Sequence, residues 1–157
     1  MSINVVKRSG DAIIPSRAHP TDIGLDLVAL RVHKIINPDV IMYDTGLAAT
    51  APRGYYLEIL PRSSISKTGW MLANSVGVLD PDYIGNLYIV MVRVVSAAEE
   101  LPLPFSRCQL VLRKAEYATV REVEEDDLLS HPSERGVGGF GSSGDRVDSW
   151  FYSAIMI

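Results

Sequence analysis

A glycine-rich segment in the last quarter of the sequence has the composition of a phosphate-binding loop. It reads Arg135-Gly-Val-Gly-Gly-Phe-Gly-Ser-Ser-Gly144. Arg135 supplies a permanent cation, the glycines let backbone N–H groups approach a ligand, and Ser142 and Ser143 supply hydroxyls. Phe140 could stack on a base while its flanking glycines hold the phosphates of the same ligand. The alternative is a flexible Gly/Ser linker, which gives no reason for the arginine and the phenylalanine.

A second candidate phosphate-binding segment is Pro61-Arg-Ser-Ser64. Arg62 could grip a phosphate with its guanidinium fork, while Ser63 and Ser64 add hydroxyl and backbone donors. On its own this segment is better explained as a turn followed by a serine helix cap, because serine is a common N-cap residue. One helical turn is expected directly after it, at residues 63–68.

The segment Asn74-Ser-Val-Gly-Val-Leu-Asp-Pro-Asp-Tyr-Ile-Gly85 carries two carboxylates and a tyrosine. Its composition predicts a β-hairpin with Asp-Pro-Asp at the bend. Asp80 could activate a water molecule as a general base, and Tyr83 could pack against a sugar. In most proteins these residue types would only form the turn.

Asp26 is an acidic residue within an apolar, strand-forming stretch, Asp22-Ile-Gly-Leu-Asp-Leu27. A carboxylate in such a place must be paired, solvated or close to a metal ion. Taken alone, this position favours a hydrogen-bonded acid in a turn.

Strands are the elements that must position these residues. Short runs rich in Val, Ile, Leu and Tyr recur with turn residues between them, and no long stretch has helical periodicity. In the run at 55–60, Leu57 and Ile59 share one face and Glu58 lies on the other, so the Leu57 face is expected in the core. The sequence predicts an all-β protein, a distorted jelly-roll barrel or sandwich, with strands at residues 3–6, 25–30, 40–43, 55–60, 87–95 and 109–115.

The run at 87–95 is apolar at nearly every position, so both of its faces must be covered. Another subunit is a simple explanation for the second cover. The β-domain is expected to span residues 1–134, followed by an arm at 135–157. The arm ends in apolar residues, including Trp150 and Phe151, that we expect to dock on another surface.

Composition limits the possible partners and compartments. The chain has 157 residues, of which 47% are hydrophobic and 22% charged, as in an ordinary globular domain. With a formal net charge of −4 it has no overall positive field, so neither nucleic acid nor a membrane is an expected partner. The single Cys108 and the lack of a signal or membrane-spanning run lead us to expect a cytoplasmic or nuclear protein.

In their order and spacing, these segments resemble the five motifs of the trimeric dUTPase family, the deoxyuridine 5′-triphosphate nucleotidohydrolases. The resemblance covers residues 3–144, and Gln109 with the residues before it is similar to the fourth motif. It implies a homotrimer with shared active sites that hydrolyses dUTP to dUMP and pyrophosphate with Mg²⁺. Such an enzyme limits uracil incorporation into DNA and supplies dUMP for thymidylate synthesis.

The resemblance also implies a role for each matching residue. Asp80 would be the general base that deprotonates the water attacking the α-phosphorus, and Tyr83 would lie under the deoxyribose. The uracil edge would be read by Asn74, Gly77, Val78, Leu79 and Tyr88. A second subunit would hold the phosphates through Arg62, Ser63, Ser64 and Gln109, with Asp26 touching Mg²⁺ through water. The arm of a third subunit would close the site, with Arg135 at the γ-phosphate, Phe140 on the uracil, and Gly141, Ser142 and Ser143 as phosphate donors.

Three positions depart from the family pattern. Ile84 replaces a polar residue that is often Arg, Ser106 replaces the Arg of the fourth motif, and Cys108 replaces Ala. The alternatives are a dCTP deaminase or a bifunctional deaminase and triphosphatase of the same fold, a nucleotide-sensing or partner-binding module, and a structural sandwich with accidental motifs. A deaminase is disfavoured because no acidic residue of the base pocket matches the group that would activate water there. The retained Asp80 and Tyr83 argue against a module that has lost catalysis.

Overall fold

Two antiparallel sheets contain the strands of the described part of the chain. The computed structural model describes residues 1–139, and nine strands lie in this part of the chain. A 3₁₀-helix at Ser63–Lys67 and a short helix α1 at Glu125–Leu129 complete the described elements. The strands are β1 (Asn4–Lys7), β2 (Leu25–Ala29), β3 (Arg31–Asn37), β4 (Val40–Thr50), β5 (Tyr55–Pro61), β6 (Trp70–Leu72), β7 (Gly77–Leu79), β8 (Asn86–Arg93) and β9 (Phe105–Lys114).

The sheets share one hydrophobic core. The five-stranded sheet has the order β1-β4-β8-β6, with β3 also paired to β4, and the four-stranded sheet has the order β2-β9-β5-β7. Tyr43 of β4 meets Phe105 of β9 edge to face, with ring centroids 4.9 Å apart. The predicted all-β sandwich of jelly-roll type is confirmed. Its core includes Leu27, Ile41, Tyr43, Leu47, Leu57, Ile59, Trp70, Leu72, Leu87, Ile89, Met91 and Leu110.

Alternation along β5 follows the expected pattern. Leu57 and Ile59 are 1% and 3% exposed, whereas Glu58 lies on the outer face of the sheet. Successive side chains of a strand point to opposite faces, so the same alternation places Tyr56, Glu58 and Leu60 together on the outer face. The predicted core face of this strand is confirmed.

All six predicted strands exist, but three further strands were not predicted. β3 is almost wholly exposed, so it has no buried face to give it an alternating pattern. β6 and β7 have three residues each, too few for a periodic signal. Two predicted strands are also longer than expected, since β4 continues past Tyr43 to Thr50 and β9 begins at Phe105, ahead of Gln109.

The prediction of a β-hairpin at residues 74–85 is wrong. β7 pairs with β5 in the four-stranded sheet, whereas β8 pairs with β4 and β6 in the five-stranded sheet. The Asp-Pro-Asp segment therefore carries the chain from one sheet to the other. Turn residues show that the chain bends but do not determine which strands become partners, and here Leu79 and Leu87 pack into the core from different sheets.

β8 is covered on one face and only partly on the other. Leu87, Ile89 and Met91 are fully buried, whereas Tyr88 and Val90 are half-buried. Within one chain the second face thus keeps apolar surface in contact with solvent. Cover by another subunit stays a prediction.

The chain divides into a first unit, Met1–Tyr117, and a second unit that begins at Ala118. In the second unit, α1 has acidic residues in its first turn, where they stabilise the positive end of the helix dipole. The predicted arm boundary at residue 135 stays a prediction, and the apolar residues 147–157 lie outside the described part of the chain. Within residues 1–139, no helix is long and apolar enough to cross a membrane.

Candidate active site

One group of candidate residues converges where β2, β9 and β5 lie side by side. Asp26 lies opposite Gln109 in the β2–β9 pair, and Gln109 lies opposite Leu60 in the β5–β9 pair. Arg62 and Ser63 follow directly after β5. These residues line an open cavity of about 380 Å³ together with Ala18, Asp22, Ile23 and Gly24. We call this the Arg62 cavity.

Asp26 forms an ion pair with Arg62. The Arg62 Nη1 to Asp26 Oδ2 distance is 2.8 Å, and each side chain is about one-third exposed. Asp26 stands inside strand β2 rather than in a turn, so the interpretation of this residue as a turn acid is wrong. Its partner is 36 residues away in the sequence, so the sequence pattern around Asp26 holds no sign of the pairing.

Gln109 is held in a fixed orientation. Its Nε2 donates a hydrogen bond of 3.1 Å to the carbonyl oxygen of Pro61. Its Oε1 lies against Gly24 so closely that a Cβ on that glycine would overlap it. Gly24 is therefore required for the approach of the Gln109 amide, which explains the glycine in the segment at residues 22–27.

Ser63 and Ser64 begin the 3₁₀-helix, and the expected helical turn is confirmed. Neither serine is its N-cap, because Arg62 occupies that position and makes no side-chain capping bond. The explanation of this segment as a serine cap is therefore wrong. The first backbone N–H groups of a helix have no partner within the helix, so this end offers donors to the Arg62 cavity.

Asp80 belongs to a second group, at the end of β7. The backbone N–H of Tyr83 donates a 3.0 Å hydrogen bond to the Asp80 carbonyl, which closes the turn after the strand. Asp80 lines a cavity of about 280 Å³. The other lining residues are Tyr56, Val78, Pro81, Ala115, Glu116 and Tyr117. We call this the Asp80 cavity.

Tyr83 is locked over the turn that follows Asp80. Its hydroxyl donates a 2.8 Å hydrogen bond to the carbonyl oxygen of Asn86. The ring lies so close to Gly85 that a Cβ on that glycine would overlap it. Tyr83 is 39% exposed, so part of this well-oriented aromatic ring faces solvent in the turn that follows Asp80.

The candidate base-reading residues lie on two strands of different sheets. Gly77, Val78 and Leu79 form β7, which among the described residues pairs only with β5 and so keeps one unpaired backbone edge. The Asn74 side chain lies against Gly77. Tyr88 stands on β8, where its ring centroid is 4.4 Å from that of His33. The sequence analysis did not identify His33, which stands where the register of the β3–β4 pair shifts between Val32 and Lys34.

Sequence reasoning also missed a charged network beside Asp80. The Tyr56 hydroxyl donates to Glu58 Oε1 at 2.8 Å, and Arg113 Nε donates to Glu58 Oε2 at 2.8 Å. The hydrogen bond from Arg113 lowers the pKa of Glu58, and the hydrogen bond to Glu58 raises the pKa of Tyr56. The only sign of this network in the sequence is the alternation along β5, which places Tyr56 and Glu58 on one face.

A single chain does not bring the two groups together. The cavities share no lining residue. The strand register gives the positions of the two aspartates along β5. Asp26 is level with Leu60 of that strand. Asp80 comes one residue after Leu79, so it is level with Tyr56. Three strand steps of about 4.8 Å and four residues of about 3.3 Å then place the Cα atoms of Asp26 and Asp80 roughly 20 Å apart. Both lie on the outer face of the four-stranded sheet.

Part of the glycine-rich segment is described, within the second unit. Arg135 Nε donates a 2.9 Å hydrogen bond to the Gly138 carbonyl, and the Gly136 N–H donates to Ser133 Oγ at 2.9 Å. Gly136 has a φ of 56°, in the left-handed region that favours glycine. The candidates Phe140, Gly141, Ser142 and Ser143 lie outside the described residues.

Comparison with known proteins identifies the family of this chain. The dUTPase family model matches residues 10–144. The chain belongs to the dUTPase family. It is 32% identical to the deoxyuridine 5′-triphosphate nucleotidohydrolase of Picosynechococcus sp. over 145 residues, which cover 92% of this chain and 99% of that relative. The resemblance to the dUTPase family is therefore confirmed.

Solved structures with the same fold include two phage dUTPases of this family. One is the Staphylococcus bacteriophage 80alpha dUTPase with dUpNHpp, at 25% identity and a TM-score of 0.68, covering 92% of this chain and 99% of that chain. The other is a mutant of the dUTPase from phage phi11 of S. aureus, at 23% identity and a TM-score of 0.66, covering 80% and 98%. The second likeness shows the fold alone, and that protein coordinates a structural Mg(II) ion.

The lowered pKa of Glu58 predicts a pH-dependent contribution to stability. A carboxyl whose folded pKa lies below its ordinary value of 4.5 stabilises the fold above that pH and loses this effect as pH falls through the folded pKa. Glu58→Gln should therefore lower the urea midpoint at pH 7, and the difference from wild type should shrink below about pH 4.5. Glu116→Gln is the control, because an exposed pair with Lys114 contributes little. An equal Glu58→Gln difference at about pH 7 and about pH 3 would contradict the assignment.

Proposed function

We propose that this chain hydrolyses dUTP to dUMP and pyrophosphate, with Asp80 as the general base. The observation that carries the proposal is the position of Asp80, which directly follows the unpaired edge strand β7 and stands in the same turn as Tyr83, whose hydroxyl is bound to the Asn86 carbonyl. This combination offers one group to activate water, a strand edge to read a base and an aromatic face for a sugar. In the cell the reaction limits uracil incorporation into DNA and supplies dUMP for thymidylate synthesis.

Asp80 acts on the water molecule that attacks the α-phosphorus. The carboxylate accepts one proton from the water, whose oxygen forms the new bond to phosphorus. The bond between the α-phosphorus and the bridging oxygen breaks, and pyrophosphate leaves with that oxygen. The strand end and the closed turn fix the backbone of Asp80 before substrate binds, which reduces the entropic cost of orienting its side chain.

The unpaired edge of β7 is suited to reading the uracil. Backbone N–H and C=O groups of Gly77, Val78 and Leu79 offer donors and acceptors in fixed positions, and Asn74 adds a side-chain amide. Tyr88 adds backbone groups from β8. A site built on such hydrogen bonds rejects cytosine, because the wrong base leaves buried donors and acceptors without partners.

Tyr83 packs against the deoxyribose. Its hydroxyl is committed to the Asn86 carbonyl, so the ring offers an apolar face rather than a hydrogen-bonding group to the sugar. A ring fixed in this way leaves no room for a 2′-hydroxyl. This contact discriminates dUTP from UTP.

The Arg62 cavity holds the phosphates. Arg62 supplies charge, Ser63 and Ser64 supply hydroxyl and backbone donors, and Gln109 supplies a fixed amide. In the same chain, Asp26, which lines this cavity, lies roughly 20 Å from Asp80, a distance longer than the triphosphate itself. The phosphate-holding residues of one chain therefore serve the Asp80 of another, and a homotrimer with three shared sites satisfies this requirement.

The arm closes the site from a third subunit. Arg135 neutralises the γ-phosphate, Phe140 stacks on the uracil, and backbone or hydroxyl donors of Gly141, Ser142 and Ser143 hold the phosphates. Closure excludes water and fixes the in-line geometry of attack. The charge supplied by Arg135 matters because Asp26 already neutralises Arg62 in the phosphate cavity.

The donors of the Arg62 cavity fit a hydrated Mg²⁺ ion. Among residues 1–139, no group of three His, Cys, Asp or Glu side chains is placed to hold a metal directly. The cavity offers the Asp26 and Asp22 carboxylates and the Gln109 amide, which suits an ion that keeps its waters and takes its direct ligands from phosphate oxygens. Asp26 would hold the ion through water. Bound Mg²⁺ would neutralise the phosphate oxygens and orient them.

The proposed function predicts release of pyrophosphate from dUTP alone. The assay compares dUTP, dTTP, dCTP and UTP in parallel, each with Mg²⁺ and with a chelator. Release should be confined to dUTP and should fall on chelation, because the base and sugar contacts both discriminate. Binding of dUTP without release would favour a nucleotide-sensing module, and release from dCTP with deamination would favour the deaminase alternative.

The role of Asp80 predicts a separation of binding from turnover. Asp80→Asn keeps the shape of the side chain but cannot accept the proton, so kcat should fall by at least ~100-fold while the Kd for dUTP stays close to that of wild type. Asp82→Asn, two residues further in the same turn, is the matched control and should keep most of the activity. Full turnover by Asp80→Asn would exclude Asp80 as the general base.

A further inference from the structure

Ser106 stands at the start of β9, next to the phosphate-binding Arg62. Its Oγ accepts a 3.0 Å hydrogen bond from Arg62 Nη1, and its carbonyl oxygen lies 3.3 Å from the same nitrogen. We propose that Ser106 is a positioning residue, which orients the Arg62 guanidinium so that its other donors face the triphosphate. The proposal rests on the proposed function and assigns a role to a position where this chain departs from the family pattern.

The contacts of Arg62 fall on one side of its guanidinium. Nη1 meets Ser106 Oγ, the Ser106 carbonyl and Asp26 Oδ2. A guanidinium carries five N–H donors in a planar fork. Among residues 1–139, Nε and Nη2 have no acceptor, so these two groups remain available for two oxygens of a phosphate. The side chain is one-third exposed where it lines the cavity.

The backbone around Ser106 is rigid enough to act as a support. The Arg62 N–H donates a 2.9 Å hydrogen bond to the Arg107 carbonyl, and Pro61 lies opposite Cys108 in the β5–β9 pair. Phe105 and Cys108, on either side, are buried. Ser106 and Arg62 are therefore fixed relative to each other through the sheet, and the serine hydroxyl selects the orientation of the arginine plane.

The short serine side chain matters at this position. Without the hydroxyl, Arg62 Nη1 would keep only the Asp26 ion pair and the more distant Ser106 carbonyl at 3.3 Å, whereas the hydroxyl at 3.0 Å adds a closer acceptor that restricts rotation of the guanidinium. Serine supplies this acceptor without adding a charge beside Arg62. A threonine would keep the hydroxyl in a strand position that tolerates a β-branched residue, and an alanine would remove it.

The test compares Ser106→Ala, Ser106→Thr and wild type in steady-state hydrolysis of dUTP. Loss of one hydrogen bond to a charged group should raise KM for Ser106→Ala by about tenfold, with kcat within about threefold of wild type. Ser106→Thr should recover KM close to wild type. Ser130→Ala, which removes a hydroxyl from the second unit, is the control for general effects and should change neither constant.

Direct binding of inorganic pyrophosphate, measured by calorimetry with Mg²⁺, provides a second readout that needs no turnover. Its Kd should rise in Ser106→Ala and recover in Ser106→Thr. The proposal would be overturned if Ser106→Ala left both Kd and KM unchanged. It would also be overturned if Ser106→Ala and Ser106→Thr raised Kd and KM equally and lowered the melting temperature, since that result indicates a structural effect. If wild type binds pyrophosphate but hydrolyses no dUTP, the proposed function fails while the binding comparison still decides the role of Ser106.

Discussion

The pairing of β5 with β7 on one side and β9 on the other is the constraint on which the site depends. This register sets Asp80 level with Tyr56 at one end of the outer face, and Gln109 and Asp26 level with Leu60 at the other. The core holds the register, because a shift by one residue would turn Leu57 and Ile59 out of the interior. Asp80, the proposed general base, and the residues proposed to hold phosphate are thus kept apart within one chain by the same packing that stabilises the fold.

Charge within the site is balanced locally rather than through the net charge of the chain. The formal net charge is −4, and Arg62, the cation of the Arg62 cavity, is already paired with Asp26. A triphosphate brings additional negative charge that this pair does not neutralise. Mg²⁺ and Arg135 supply the missing positive charge in the account proposed above, which explains why the site needs both an ion and a closing arm.

Sequence reasoning succeeded where the signal is local. The alternation in β5 identified the core face, and the composition of the segments at 22–27, 61–64 and 74–85 identified Asp26, Arg62 and Asp80, each of which the fold places beside a cavity. It failed where the decisive contact is distant in sequence. Three contacts join segments that no local pattern connects: the pairing of β7 with β5, the Asp26–Arg62 ion pair and the Glu58–Arg113 ion pair. Strand β3 was not predicted because it has no buried face to give it an alternating pattern. The sequence also holds no pattern that shows whether residues of different chains share a site. Only the positions of these residues on the face of the folded sheet indicate it.

The central claim is that each active site combines Asp80 of one chain with Arg62 of another, and subunit mixing tests it most directly. Asp80→Asn and Arg62→Ala chains, each nearly inactive alone, are co-refolded in equal amounts and assayed for pyrophosphate release from dUTP. With random assembly, about one-quarter of the sites contain both an intact Asp80 and an intact Arg62, so activity should recover to about a quarter of the wild-type activity. Mixing the chains without refolding is the control. Activity that stays at the level of the separate variants would contradict shared sites and place both residues in one chain's site.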